Sequence, residues 1–317
     1  MRAFSELLIP IGCLSVILLA GCDRVEYSKL GVPEDPVRIA IQDSKGAPEL
    51  AQALNNFFAG SLKVVAEVKG TVEIVEGFGP GTVHVAFMNT LGYVLAHEWT
   101  LAEAKLRLKY SNGKTDYSGG IIALKGGRVR VPEDINGRVL AFKDRYATTG
   151  HLLAVNYLRK SNIVPATTVF AGSYRDVALG VYEGRFDAGA IYFGKPGPRG
   201  VSMDSRIEIL DLHPDALEKL VLIADTGNVP SGPVVINRRL PPEMKMELIE
   251  ALLRFSVTAP AKKALLNAYD ATALIPATDA DFASVRADLA ATGMNPEDFV
   301  EKGYKFTMRR AMQNQHD

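Results

Sequence analysis

The stretch Arg138-Val139-Leu140-Ala141-Phe142-Lys143-Asp144-Arg145-Tyr146-Ala147-Thr148-Thr149-Gly150-His151-Leu152-Leu153 sets the frame for the whole chain. Arg138 to Phe142 is an apolar run that reads as a buried parallel strand, and Leu152, Leu153, Val155 and Leu158 fall on one face of a helix. Two threonines and a glycine therefore stand where a strand passes to a helix. Small side chains, hydroxyl donors and the first free N–H groups of the helix point the same way there, an arrangement that binds a tetrahedral oxyanion without a metal. The same threonines would also serve as an ordinary helix cap, and the residue pattern leaves both readings open.

On either side of this stretch, strand and helix patterns alternate. Before it, Val37 to Ile41, Leu62 to Val68, Val83 to Met88, Leu101 to Tyr110 and Gly119 to Leu124 read as strands, with helix at Pro48 to Phe58 and a helical turn or two at Val72 to Phe78. After it, Ser173-Tyr174-Arg175-Asp176 opens a helix over Val177 to Glu183, and Asp187 opens a strand. Strands at Leu220 to Ala224 and Val234 to Asn237 are joined by Asp225 to Pro233, a stretch rich in turn formers. Helices follow at Pro241 to Phe255, Ala261 to Asn267 and Asp279 to Thr292, with a last segment from Asn295. Met244, Leu248, Ala251, Leu252 and Phe255 share one face and read as core. Such alternation predicts an α/β fold with mainly parallel strands.

A short internal repeat refines this. Gly81-Thr82-Val83-His84-Val85-Ala86-Phe87 and Gly184-Arg185-Phe186-Asp187-Ala188-Gly189-Ala190 share a glycine, two residues, a polar residue and a small apolar strand. Each follows an amphipathic segment, so each reads as the same helix-to-strand turn in one of two similar lobes. The expected division is residues 36–118 and 223–317 in lobe 1 and 119–222 in lobe 2, with a ligand cleft between them. Closure is expected about crossovers near Tyr117 to Gly120 and Leu220 to Thr226.

Residues 1–22 read as a targeting segment, with Arg2 in the n-region, an apolar run from Leu7 to Leu19, and Leu19-Ala20-Gly21-Cys22 in the pattern of a lipobox. Cys22 is the expected lipidation site. Asp23 behind it favours the inner membrane if the host follows the enterobacterial rule. Residues 23–35 show no period and read as linker. The chain has two cysteines, Cys13 and Cys22. With Cys13 lost in the leader and Cys22 carrying lipid, no thiol remains for a disulfide, a soft-metal site or a nucleophile. Thirty-six basic and 36 acidic residues balance, which argues against a nucleic-acid or polybasic membrane role. There is no His-x-x-x-His metal spacing and no Gly-x-Ser-x-Gly elbow, and His84, His97, His151, His213 and His316 are scattered. These features weigh against an enzyme.

Three segments carry a family resemblance. Asp134-Ile135-Asn136-Gly137-Arg138-Val139-Leu140-Ala141-Phe142 is similar to a D-L-x-G-K-x-V-A-F approach, Ala147-Thr148-Thr149-Gly150 to an S-T-S-G loop, and Val177 to Ala190, with Val181, Gly184, Asp187, Ala188 and Gly189, to an A-V-x-x-G-x-V-D-A-G segment. Over roughly residues 36–300 the chain resembles a type II periplasmic substrate-binding protein of the phosphate, phosphite and phosphonate binding family of ABC transporters, in lipoprotein form.

The resemblance implies hydroxyl and N–H donors at Thr148, Thr149 and Gly150, a carboxylate at Asp187 that accepts from a protonated oxygen or an amine of the ligand, and a cleft tyrosine at Tyr93. Helix capping for the threonines, a strand-edge turn for Asp187 and plain packing for Tyr93 are the alternatives. The chain departs from the pattern at Ala147, where the family has serine, at Tyr174, where it has histidine, at Asp43-Ser44-Lys45, where an aromatic is frequent, and at His84, where carboxylates are usual. Ala147, Tyr174 and Ser44 thus join the ligand-contact candidates with altered chemistry. The implied function is a monomeric, non-enzymatic receptor, held at the periplasmic face of the membrane by lipid, that needs no cofactor or metal and delivers a small oxyanion to an ABC permease. A sensor subunit that signals to a membrane histidine kinase is the other reading.

Overall fold

Val37, Ile39 and Ile41 enter one apolar cluster while Ala40 between them enters another, the period of a strand buried on both faces. Val85 and Phe87 against Ala86, and Val234 and Ile236 against Val235, repeat that division. The computed structural model describes residues 30–60, 62–99, 102–196, 200, 203–295 and 299 of the chain. The leader with Cys22, and Asp23, lie outside the described residues, as does most of the segment read beyond Asn295.

In chain order the elements are β1 (Val37–Gln42), α1 (Ala47–Phe58), β2 (Val64–Lys69), α2 (Thr71–Gly77), β3 (Val85–Phe87), α3 (Thr90–Trp99), β4 (Ala102–Tyr110), β5 (Asp116–Leu124) and β6 (Val139–Phe142). A π-helical turn (Thr148–Leu153) leads into α4 (Ala154–Lys160), followed by β7 (Thr167–Phe170), α5 (Tyr174–Tyr182), β8 (Ala188–Phe193) and α6 (Ala216–Lys219). The chain closes with β9 (Leu220–Pro230), β10 (Pro233–Asn237), α7 (Pro242–Ser256), α8 (Ala259–Tyr269), β11 (Ala271–Pro276) and α9 (Ala283–Thr292).

Among the described residues the strands form two sheets, a six-stranded one ordered β11-β4-β10-β3-β1-β2 and a five-stranded one ordered β7-β6-β8-β5-β9. Each sheet is filled on both faces. In the second, Ile121, Ala123, Leu140, Phe142, Ala188 and Ala190 pack with Ala154 and Leu158 of α4, while Ile122, Ala141 and Ile191 pack with Val177, Ala178 and Val181 of α5. The chain passes between sheets through residues 111–115 and again through Ser231-Gly232, where the Ser231 N–H donates to the Thr115 carbonyl at 2.8 Å and ties the two passages together. This is the expected α/β, two-lobed arrangement.

Several expectations change. The sheets are mixed: β1 pairs in parallel with β2 and β3, and β6 with β7 and β8, whereas β10, β4, β11, β5 and β9 join antiparallel. The chain that crosses from one lobe to the other must return, and the strands flanking the two passages, β4 with β10 and β5 with β9, pair antiparallel. The turn-rich stretch from Asp225 is no loop; β9 runs through it to Pro230 along β5, so Tyr117 to Gly120 pairs with Val229 to Asp225 and the run from Leu220 to Asp225 pairs with Leu124 to Gly120, all inside one ladder, and the passages lie beyond it. β9 also continues past residue 222, and β5 begins before residue 119. Residues 30–35 are folded: Leu30 is buried in the first core, and the Lys63 N–H donates to the Gly31 carbonyl at 2.9 Å. Helix α3 has no counterpart in the sequence reading because Leu91 to Ala96 are buried all round, which erases the amphipathic period.

Candidate functional site

The loop after β6 is shaped by its own backbone. Asp144 accepts the Tyr146 N–H on Oδ1 at 2.7 Å, an Asx turn, and the Lys143 N–H donates to the Gly150 carbonyl at 3.0 Å, folding the loop back. Ala147 then takes the cap position, extended at φ −74 and ψ 124, and its carbonyl accepts the Leu152 N–H at 3.1 Å. A bond that spans five residues leaves one more N–H outside the helical ladder than an α-turn would.

Thr148, Thr149 and Gly150 are buried in this turn. The Tyr174 hydroxyl stands against them, 2.8 Å from Thr149 Oγ1 and accepting the Gly150 N–H at 3.2 Å. Gly150 is required by space, since a Cβ there would lie 2.8 Å from Tyr174 Cε1 and 2.9 Å from Lys143 Cβ. Tyr174 is held at the start of α5, where Ser173 caps the helix by accepting the Asp176 N–H at 3.0 Å. The Tyr192 ring packs edge-on against it with centroids 4.8 Å apart, and Lys143 Nζ lies 5.4 Å from its ring centroid. Burial holds the Tyr174 phenol well above its ordinary range, against the lowering effect of Thr149, so it keeps its proton.

Lobe 1 closes over this turn. The Leu91 N–H, at the start of α3, donates to Thr148 Oγ1 at 3.0 Å, and Asn89 Nδ2 donates to the Tyr146 carbonyl at 3.3 Å. Asn89 also caps α3 by accepting the Gly92 N–H at 2.7 Å, while Gln42 Oε1 accepts the Asn89 N–H. Two helix starts, α3 and the π-turn, thus face each other across the lobes. Their neutral hydroxyls and N–H groups suit an anion. Lys143 Nζ, the ammonium beside them, pairs with Asp144 Oδ2 at 2.9 Å.

The candidates from sequence divide into those gathered here and those set elsewhere. Thr148, Thr149, Gly150, Ala147 and Tyr174 come together. Ser44 follows β1 at the same end of the first sheet, near Tyr269. Tyr93 points into lobe 1: its hydroxyl donates to Asp279 Oδ1 at 2.6 Å and its ring meets Phe282. Asp187 lies at the opposite end of the second sheet, before β8. Its carboxylate accepts the Val139 N–H at 3.0 Å and lies 4.0 Å from Arg128. The threonines cannot reach that end, because β6 and its parallel neighbour β8 run away from it toward the loop. Leu91, Asn89 and Tyr146 escaped the sequence reading; the one available signal was Asn89-Thr90, a good helix start just after an apolar strand. Among the described residues no group of three His, Cys, Asp or Glu could hold a metal ion, and no helix is long and apolar enough to cross a membrane.

The profile of a family described as "ABC transporter, phosphonate, periplasmic substrate-binding protein" matches residues 41–282. Among solved structures, a Xanthomonas citri protein with bound chloride superposes with TM-score 0.67 at 16% identity, covering 83% of this chain and 99% of that one. A binding-protein component of an ABC phosphonate transporter from Pseudomonas aeruginosa gives 0.67 at 16% identity over 88% and 97% of the two chains. A Prochlorococcus marinus protein in complex with methylphosphonate gives 0.64 at 14% identity over 81% and 98%. At such identities these structures speak for the fold, that of type II periplasmic binding proteins. With the profile spanning most of the chain and the fold agreeing, the protein belongs to the family of periplasmic substrate-binding components of ABC phosphonate transporters.

Proposed function

We propose that this chain captures a small tetrahedral oxyanion of the phosphonate, phosphite or phosphate type at the turn Ala147–Gly150 and passes it to an ABC permease. The observation that carries the reading is the Tyr174 hydroxyl, an oxygen already held by Thr149 Oγ1 and the Gly150 N–H where a ligand oxygen would sit. A bound anion either displaces that phenol or accepts from it. Thr148, engaged with Leu91, joins the anion site to lobe closure. Ala147 contributes backbone only, and Ser44 offers a hydroxyl from lobe 1. The protein acts as a monomer, without metal or cofactor, tethered in the periplasm by lipid on Cys22. Asp187 and Tyr93, both engaged elsewhere, are left out of the contact set.

Methylphosphonate, the ligand of the Prochlorococcus marinus structure, is the first compound to test. Calorimetry of the soluble domain with methylphosphonate, phosphite, phosphate and sulfate, with and without EDTA, should give saturable binding of at least one phosphorus oxyanion that chelator leaves intact. Failure of all four to bind would remove this reading.

A further inference from the structure

Strand β9 carries a polar side chain into the site from its ladder with β5, at the edge of the second sheet. Its register against β5 skips one residue: Gly119 pairs with Gly227 and Gly120 with Asp225, which leaves Thr226 as the extra residue of a β-bulge. Bulges redirect side chains and are frequent beside functional sites. The redirected Thr226 Oγ1 is buried and has no hydrogen-bond partner. An unpaired buried hydroxyl costs free energy, so its persistence calls for an explanation.

Gly119 shows where that hydroxyl points. A Cβ on Gly119 would lie 2.5 Å from Thr226 Oγ1 and 3.3 Å from Thr149 Cβ, so the two threonines converge over the bare face of one glycine. Leu153 Cδ1, at 3.4 Å from the same point, covers the apolar side. Any larger residue at 119 would fill the space into which both side chains project.

We propose that Thr226 is a further ligand contact, a hydroxyl aimed by the β9 bulge at the same oxyanion that Thr149 and Gly150 hold. The proposal rests on the anion-binding reading of the Ala147–Gly150 turn. It adds that the site is built from three segments distant in sequence, with one donor supplied by the strand that leads into the passage between the lobes at Ser231-Gly232. Binding then couples directly to that strand's position.

The test is calorimetry with methylphosphonate, phosphite, phosphate and sulfate on the wild-type protein, Thr226→Val, Thr226→Ser and Thr149→Ala, with melting of each ligand-free protein. Valine keeps the branched shape and removes the hydroxyl. Affinity should fall by about tenfold or more in Thr226→Val, as expected for losing a hydrogen bond to a charged group. Thr226→Ser should stay near wild type. The ligand-free Tm of Thr226→Val should hold or rise, since an unpaired buried hydroxyl has gone. Wild-type affinity in Thr226→Val beside a weakened Thr149→Ala would overturn the proposal while sparing the turn. A joint fall of Tm and affinity in Thr226→Val that serine does not rescue would reassign Thr226 to packing, and an unweakened Thr149→Ala would sink the anion site and this proposal together.

Discussion

The two lobes answer one backbone problem alike at one end of their parallel strands and differently at the other. At the N-terminal end, Gly81 at φ +76 and Gly184 at φ +75 turn the chain into β3 and β8. Three residues on, His84 donates its N–H to the Arg38 carbonyl and takes the Arg38 N–H on Nδ1, both at 3.0 Å. Asp187 does the same with Val139, again at 3.0 Å in each direction. A side chain thus closes the ladder where a parallel neighbour begins, and either an imidazole or a carboxylate serves. At the C-terminal end the symmetry stops. The start of α3 is capped within two residues of β3 by Asn89, whereas β6 is followed by five loop residues and a π-turn whose Gly150 N–H meets a phenol. The shared end is structural; the end where the lobes diverge is where ligand chemistry can be installed.

The sharpest way to break this comparison is acid. Burial, then the Arg38 guanidinium, lowers His84 from its ordinary 6.5 to about 4, and protonation of Nδ1 would also expel the Arg38 N–H. As pH falls the unfolded chain takes the proton first. The contribution is therefore complete above pH 6.5 and lost between there and about pH 4, amounting to about 3 kcal/mol. Denaturant titrations at pH 7 and pH 4.5 should show this loss, and His84→Asn should flatten it. An unchanged slope in that variant would mean that His84 is not the buried neutral partner of Arg38.

Next in size is the contrast between the two threonines. Thr149→Ala should weaken oxyanion binding by roughly one to two decades, because a hydrogen bond to a charged acceptor is worth about 1.5 to 3 kcal/mol. Thr148→Ala should act first on stability, by about 1 kcal/mol, through the orphaned Leu91 N–H. Melting without ligand and calorimetry with it separate the two; equal effects on both readouts would erase the distinction.

The smallest effect belongs to Asp187. Asp187→Ala leaves the Val139 N–H without its acceptor and should cost about 1 kcal/mol of stability with affinity unchanged. A clear drop in affinity at constant Tm would return Asp187 to the ligand.

The sequence by itself determined the order of most elements, the handover from β6 to a helix through Thr148-Thr149-Gly150, and the repeated glycine turns. These are local properties, carried by periods of 2 and 3.6 and by glycine's freedom at positive φ. The tertiary structure alone decided the rest. Helix α3 is buried all round and has no period to read. Turn-forming residues of β9 became strand because β5 lies alongside to pair with them, a case of tertiary context overriding propensity. Asp187 precedes β8 and the threonines follow its parallel neighbour β6, so strand direction puts them at opposite ends of the sheet. The Leu91 N–H that meets Thr148 lies 57 residues back along the chain, and Thr226 reaches the face of Gly119 only through a bulge, since a hydroxyl's role depends on which atoms the fold brings close, and no local pattern records that.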